Sequence, residues 1–193
     1  MKAKNPDKHQ SRTLRIIGGK WRGRKVRFPN NSVIRPTGDR IRETLFNWLM
    51  FNLTGARCLD LYAGSGALGL EALSRGAAAV TFVEKDATIA ETLGATLIEL
   101  ESDEGNVVNQ NAADFLRATD DAYDLIFLDP PFDSAELPAA VEVIHRRNLA
   151  RGFVYVESAS NDMRLPEGWS IHRQKKAGDV YYCLVDLRDA ASV

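Results

Sequence analysis

From Ala56 onward, short apolar runs alternate with stretches of helical periodicity. Arg57–Ala63, Ala79–Glu84, Asn106–Asn109, Leu125–Asp129 and Phe153–Ser158 read as strands. Helices at about Ala67–Arg75, Ala87–Leu100, Ala112–Ala118 and Ala135–Arg147 separate them. Strands joined through helices of this length pair in parallel, by right-handed crossovers. The end of the chain breaks the rule. Trp169–Lys175 and Asp179–Leu187 are joined only by Lys176-Ala177-Gly178, which leaves no room for a crossover helix. They are predicted as an antiparallel hairpin at the sheet edge.

The segment before the alternation has its own pattern. Leu14, Ile16 and Ile17, the turn-rich Gly18-Gly19-Lys20, and Trp21–Phe28 predict a half-exposed, basic hairpin over 13–28. Pro29–Asp39 reads as loop. Ile41, Leu45, Trp48 and Leu49 then share one helical face, and Thr37 or Asp39 can cap that helix. Residues 1–11 are expected to be disordered. The predicted whole is one doubly wound α/β domain over 39–193, with a mostly parallel seven-stranded sheet. A hairpin and loop over 12–38 and a tail over 1–11 precede it.

Composition narrows the class. The 193 residues, 45% hydrophobic and 26% charged, suit a soluble domain with a sizeable core. No apolar run approaches the roughly 18–20 residues of a membrane span. Met1–Gln10 is polar and lacks the apolar stretch of a secretory signal, so the expected compartment is the cytoplasm. Cys58 and Cys183 sit in apolar runs and read as buried thiols, not as a disulfide framework or zinc site. His9, His145 and His172 lack ligand spacing, so no metal is expected, and His145 beside Arg146-Arg147 reads as surface. Ser158 and Ser160 have no hydrolase context. Trp48 reads as core, and Tyr181 and Tyr182 point to opposite faces of their strand.

Charge changes the picture more. The net charge of −1 hides two segments of opposite sign. Residues 1–42 carry 13 Lys and Arg against Asp7 and Asp39, which is +11, and residues 43–193 carry −12. Such asymmetry suggests a basic arm that meets nucleic acid; the competing reading is a solvated tail. Lys20, Arg22, Arg24, Lys25 and Arg27 on the hairpin are candidate phosphate contacts. The alternative is an edge strand kept from aggregation by its charge.

Gly64-Ser65-Gly66-Ala67-Leu68-Gly69 follows the first strand of the alternation and opens a helix. This G-x-G-x-x-G spacing lets a loop turn tightly and lets a ligand approach backbone at a helix start. Glu84 ends the next strand, 20 residues after Gly64, where an acid can accept from ribose hydroxyls. A nucleoside-containing cofactor is therefore expected. Asp60, four residues before Gly64, would repel a pyrophosphate but can fix the loop or reach an amine. Asn111-Ala112-Ala113-Asp114 after the third strand could read an adenine edge. S-adenosylmethionine, with its ribose, adenine and amino-acid tail and no phosphate, fits this set better than NAD.

The fourth strand runs straight into Asp129-Pro130-Pro131-Phe132. Ligands of open α/β sheets bind at that edge. The prolines remove two backbone donors, which leaves the Asp129 carboxylate and the Pro130 carbonyl as acceptors for an exocyclic NH2. Phe132 can stack on the base. This motif resembles the [Asp/Asn/Ser]-Pro-Pro-[Phe/Tyr] signature of class I, S-adenosylmethionine-dependent amino-methyltransferases. Arg15–Arg24, Arg35–Leu49 and Asp60–Leu73 narrow the likeness. Together they resemble the bacterial family that methylates the N2 amine of guanine 966 in 16S ribosomal RNA, over about Arg12 to Leu187.

The resemblance implies a Rossmann-like class I methyltransferase fold and direct transfer from S-adenosylmethionine, leaving S-adenosylhomocysteine, without a metal. It carries the cofactor site onto Asp60, Gly64, Ser65, Gly66, Glu84 and Asp114 with their neighbours Tyr62, Ala63, Lys85, Asn111 and Ala112. It carries methyl transfer onto Asp129, Pro130, Pro131 and Phe132. Tyr62 stands where many class I members have a glycine, which suggests that it lines the cofactor site or the strand end. Thr37 is expected to face the methionine carboxylate or the entering nucleotide, and Arg35 and Arg40 to meet RNA. The implied partner is 16S ribosomal RNA or a small-subunit assembly particle, and nothing demands more than a monomer. Three rivals stay open. A DNA adenine-N6 methyltransferase would need target readout, for which 193 residues leave no separate domain. A nicotinamide-dependent oxidoreductase leaves the Asp-Pro-Pro-Phe turn and the basic arm without a role. A non-catalytic RNA-binding protein would keep the fold alone.

Overall fold

The computed structural model describes residues 12–29, 37–131, 135–161 and 163–187. The tail over 1–11, Arg35 and Phe132 lie outside the described residues. Two short strands come first, β1 (Arg12–Arg15) and β2 (Lys25–Phe28), followed by α1 (Asp39–Trp48). The alternation then runs β3 (Arg57–Asp60), α2 (Ala67–Ser74), β4 (Ala79–Glu84), α3 (Ala87–Glu99), β5 (Gly105–Asn109), α4 (Ala112–Ala118), β6 (Tyr123–Leu128), α5 (Glu136–Arg146) and β7 (Ala150–Ser158). It closes with β8 (Ser170–Ala177) and β9 (Val180–Asp186).

The main sheet has seven strands in the order β5-β4-β3-β6-β7-β9-β8. β3 through β7 pair in parallel, and β9 enters antiparallel between β7 and β8. The strand order reverses between β3 and β6, so a crevice opens at their carboxyl ends. Alternate residues along each strand feed the two faces. Cys58, Phe82, Leu125, Phe127 and Tyr155 pack with Leu45 and Phe46 of α1 and Leu70 of α2. Leu59, Val83, Ile126, Leu128 and Val154 pack on the other face with Leu116 of α4 and Ile144 of α5. Both cysteines are buried and free.

The N-terminal hairpin is set apart in sequence by charge, yet it packs into the same core. Leu14, Ile16, Trp21, Val26 and Phe28 all join the cluster beneath α1 and α2. The second strand starts at Lys25, not at Trp21 as the sequence suggests, because residues 16–24 are held by the end of α2. The Trp21 N–H donates to Ser74 Oγ at 2.9 Å, and that hydroxyl donates to the Gly18 carbonyl at 2.6 Å. Gly19 has φ +73°, and a Cβ there would fall 1.7 Å from the Ser74 carbonyl oxygen, so only glycine fits.

Helix α1 also starts differently from expectation. Gly38 is its N-cap, with no side-chain cap bond. Asp39 is already helical and accepts from Arg42 at 2.5 Å. Arg42 has no exposed side-chain surface, although the charge count places it in the basic arm. It donates to Glu71 Oε2 at 3.3 Å and to the Arg15 carbonyl at 2.9 Å. Glu71, equally buried, also accepts from the Ile17 N–H at 2.9 Å and from Arg75 Nε at 2.8 Å. One carboxylate thus joins the hairpin, α1 and α2. Glu71→Ala would strip Arg42 of its buried partner, leaving it only the exposed Asp39 and the Arg15 carbonyl. It would strand the Ile17 N–H and Arg75 as well. Breaking a buried pair in this way costs about 3–5 kcal/mol. Urea denaturation followed by circular dichroism reads this directly; a loss under about 1 kcal/mol would remove Glu71 from that role.

Candidate active site

The carboxyl ends of β3, β4, β6 and β7 converge on a cavity of about 520 Å³, within the usual size of small-molecule sites. Each of these strands brings an acid there: Asp60, Glu84, Asp129 and Glu157. With Glu136 the lining holds five carboxylates, and Lys85 is its one lysine or arginine among the described residues.

Asp60 is 3% exposed, and its Oδ2 accepts from the Gly69 N–H at 2.9 Å. Burial pushes its carboxyl up to about 7, against the pull of that N–H, and the charges of Asp129 and Glu84 add to the rise. A cation bound beside it would return it to its ordinary ionised state. Glu84 fixes the glycine loop. Its two oxygens accept from the Gly64 N–H at 2.9 Å and the Asp86 N–H at 2.8 Å, each keeping a second lone pair for a ligand. Gly66 caps α2 with φ +74°, and a Cβ there would meet the Leu93 side chain at 2.6 Å. Tyr62, Ala63 and Ser65 line the same wall.

The third wall comes from the start of α4. Gln110, Asn111 and Ala112 line the cavity. The Asn111 side-chain oxygen caps α4 by accepting from the Ala113 N–H at 2.9 Å. That leaves its NH2 for a ligand. Asp114 does not join them. It is exposed and paired with Arg117 one turn along the helix, whereas Gln110, which the motif reading passed over, takes a place in the lining.

On the opposite wall Thr37 Oγ1 donates to Asp129 Oδ2 at 3.0 Å, across 92 residues of sequence. Thr37 therefore serves Asp129 and not the helix end. Pro130 and Pro131 follow in the lining. Glu157, 3% exposed, was not singled out by its motif context at all. Its Oε1 accepts from the Tyr155 hydroxyl at 2.8 Å. Burial raises the Asp129 carboxyl, and Thr37 offsets part of the rise. Glu157 is raised further, by burial and then by the charge of Asp129. The two carboxyls share their titration, and each holds its proton above the ordinary carboxylate range.

The basic candidates separate by place. Helices α2 and α3 start at the cavity edge and end at the far edge of the sheet. Their ends hold the hairpin turn: Lys20 pairs with Glu104 at 3.4 Å, and Arg24 donates to the Glu99 carbonyl at 3.2 Å. Arg22 lies in the same turn, which docks at the far end of α2, a helix about 12 Å long that starts at the cavity. Lys25 and Arg27 are exposed along β2. Arg40 is exposed in the first turn of α1, beside Gly38 and Ile41 of the cavity lining. His145, expected at the surface, is half-buried edge-on against Trp169 at 5.9 Å. Trp48, expected in the core, is half-buried against it and stacks on Tyr182 at 5.5 Å. Among the described residues no group of three or more His, Cys, Asp or Glu could hold a metal ion, and no helix is long and apolar enough to cross a membrane.

A family model described as conserved hypothetical protein 95 matches residues 14–186. The curated Ribosomal RNA small subunit methyltransferase D of Escherichia coli (strain K12) is 45% identical over 185 residues, covering 94% of this chain and 93% of the relative. Its namesake from Haemophilus influenzae is 42% identical, covering 89% and 92%. The chain belongs to the family of ribosomal RNA small subunit methyltransferase D. A solved Escherichia coli structure, yhhF, superposes with a TM-score of 0.82 at 44% identity, covering 90% of this chain and 97% of that one. The magnesium protoporphyrin IX methyltransferase of Synechocystis PCC 6803, solved with bound SAM, shares the fold at a TM-score of 0.58 and 17% identity, covering 76% and 77%. The doubly wound α/β domain expected from the alternation, and the Rossmann-like class I methyltransferase fold that the resemblance implies, are the fold present in this family member.

Asp129→Asn removes a like charge facing Glu157. Glu157 should then titrate lower than in the native protein, while burial still holds it above an ordinary glutamate. Carbon-detected NMR of labelled carboxyls checks this; an unmoved Glu157 would show that the two do not interact.

Proposed function

We propose that the protein transfers a methyl group from S-adenosylmethionine to the exocyclic N2 amine of a guanine in small-subunit (16S) ribosomal RNA. The carrying observation is Asp129 at the end of β6, held by Thr37, on the same cavity as the glycine loop and Glu84. The names of the curated relatives supply the RNA class. The finished subunit, an assembly particle or the naked RNA would all present such a guanine, and the cytoplasm is where it would be met.

The lining chemistry fits this cofactor. S-adenosylmethionine carries a sulfonium and an ammonium against one carboxylate, a net positive charge, and the cavity offers five acids against one lysine. A dinucleotide would bring its pyrophosphate into the same acids, which disfavours the oxidoreductase reading. Asp60 and the Tyr62–Gly66 loop would hold the amino-acid tail, Glu84 the ribose hydroxyls, and Gln110, Asn111 and Ala112 the adenine. Bound there, the cofactor supplies an electrophilic methyl group.

The chain's own residues prepare the nucleophile. A guanine N2 lone pair is delocalised into the ring and is a poor nucleophile while planar. Thr37 occupies Asp129 Oδ2, so Oδ1 is left to accept one amine N–H. Pro130 has no N–H, and its carbonyl can accept the second. Two acceptors orient the nitrogen and draw its lone pair out of the ring. The nitrogen takes the methyl in a single displacement, its electron pair forming the N–C bond as the methyl–sulfur bond breaks. The surplus proton then passes to Asp129, whose raised affinity for protons suits it as acceptor.

Tritiated-methyl transfer to small-subunit RNA from cells lacking the protein tests the reading. N2-methylguanosine is expected after nucleoside digestion. Label in N6-methyladenosine would replace guanine with adenine, and no label on any RNA would end the reading. Asp129→Asn should lower turnover about 100-fold or more, since it removes a charged acceptor used in the transition state. Its affinity for S-adenosylhomocysteine should stay within about threefold; a loss of affinity at unchanged turnover would move Asp129 out of the transfer step.

A further inference from the structure

The outermost strand of the sheet is unlike the others. β8, Ser-Ile-His-Arg-Gln-Lys-Lys-Ala, is exposed at seven of its eight positions and carries Arg173, Lys175 and Lys176 without an acid. Its place follows from the register. Lys176 stands opposite Tyr181 and Lys175 opposite Tyr182, and on the next strand Tyr181 stands opposite Ser158 and Tyr182 opposite Glu157. Both lysines therefore lie level with the carboxyl end of β7, at the cavity edge of the sheet. Ala177 and Val180, which flank the hairpin turn, line the catalytic cavity itself.

A second cleft, of about 190 Å³, is lined by the chain neighbours of Glu157, Ala177 and Val180 of this cavity. Ser158, Ser160, Asn161, Lys175, Lys176 and Tyr181 line it. The Lys176 ammonium lies 4.6 Å from the centre of the Tyr181 ring, a contact that holds the charge at the cleft. Met163, Ile171, Tyr182 and Cys183 add an apolar side, so the cleft pairs hydroxyls, amides and ammonium groups with a surface on which a sugar ring can rest, the mixture that a sugar–phosphate unit presents. Asp179 in the hairpin turn is the nearest acid in sequence.

This inference rests on the reading of the protein as an RNA methyltransferase. A base inserted in the catalytic cavity leaves its flanking phosphates at the mouth, where five acids would repel them unless cations stand close by. We propose that the β8–β9 hairpin cleft, through Lys175, Lys176 and Ser158, binds the ribose-phosphate backbone of a nucleotide flanking the target guanine. The N-terminal turn, at the opposite edge of the sheet, would meet a more distant part of the same RNA.

Lys175→Ala/Lys176→Ala tests this against Lys175→Arg/Lys176→Arg and against Arg22→Ala/Arg24→Ala. Binding of small-subunit RNA is measured over a salt series, together with KM for RNA, KM for S-adenosylmethionine and thermal unfolding. The alanine pair should raise the Kd for RNA at least 10-fold and lower the slope of log Kd against log salt by about 1.4, two contacts at 0.7 each for single strands. The arginine pair should restore both, and KM for S-adenosylmethionine should not move. An unchanged slope and Kd in the alanine pair, while the native protein methylates RNA, overturns the proposal and leaves the methyltransferase reading standing. The same holds if the alanine pair only self-associates, which would make the charges a guard on the edge strand. Native protein that neither binds nor methylates RNA overturns the underlying reading as well.

Discussion

A carboxylate with no access to water must be satisfied from within, and Glu71 meets this demand by joining three pieces of chain. It takes hydrogen bonds from Ile17 just after β1 of the hairpin, from Arg42 in α1 and from Arg75 beyond α2. Desolvating these charges costs several kcal/mol per ion, so a buried pair of this kind is weak evidence for added stability. Its effect is on register. The spacing between hairpin, α1 and α2 cannot slip by a residue without stranding a buried charge. The consequence reaches the active site, because Gly38 and Thr37 lead directly into α1. Thr37 meets Asp129 at 3.0 Å little more than a turn before Arg42, which ties α1 to Glu71.

The cavity is built on the same demand with the opposite outcome. Asp60, Asp129 and Glu157 are carboxyls whose neighbours only partly compensate their burial, and their protons are held more tightly than usual. A bound positive charge would relieve this, and so would a proton delivered by an amine that has just acquired a methyl group. The site therefore has an electrostatic deficit that would favour both the cation of S-adenosylmethionine and the proton that the proposed amine methylation would release. Packing alone would have favoured neutral side chains at these strand ends.

Most of the framework was legible because it depends on local pattern. Ala79–Glu84 forms the strand that its pattern predicts, and the glycine loop and Asp129 fall at strand ends because parallel strands place them there. Glu157 was equally legible in principle. It ends an apolar strand as Glu84 does, but no adjacent motif drew notice to it. What pattern could not supply was tertiary. Asp114 and Gln110 are four residues apart, and only the start of α4 decides which one faces the cavity. Arg42 counted as one more cation of a basic arm until burial showed it spoken for by Glu71 and Asp39. The pattern marked the hairpin turn as a candidate phosphate contact without placing it, and its docking on Ser74 sets it at the end of α2 away from the cavity.

That displacement bears on how a near-neutral protein could hold a polyanion. Screening limits a surface charge to about 8–10 Å at ordinary ionic strength. Cations at the hairpin turn, docked at the far end of a helix about 12 Å long that starts at the cavity, are too far to offset the acids around the cavity. Two of them are already engaged by Glu104 and the Glu99 carbonyl. Charge that serves the mouth must stand at the mouth, and Arg40 on one flank with Lys175 and Lys176 on the other meet that condition. The division of charge by segment, +11 against −12, is therefore less informative than its division by edge of the sheet. An RNA held at both edges would span the face of the domain, with its target base drawn into the acids between two groups of cations.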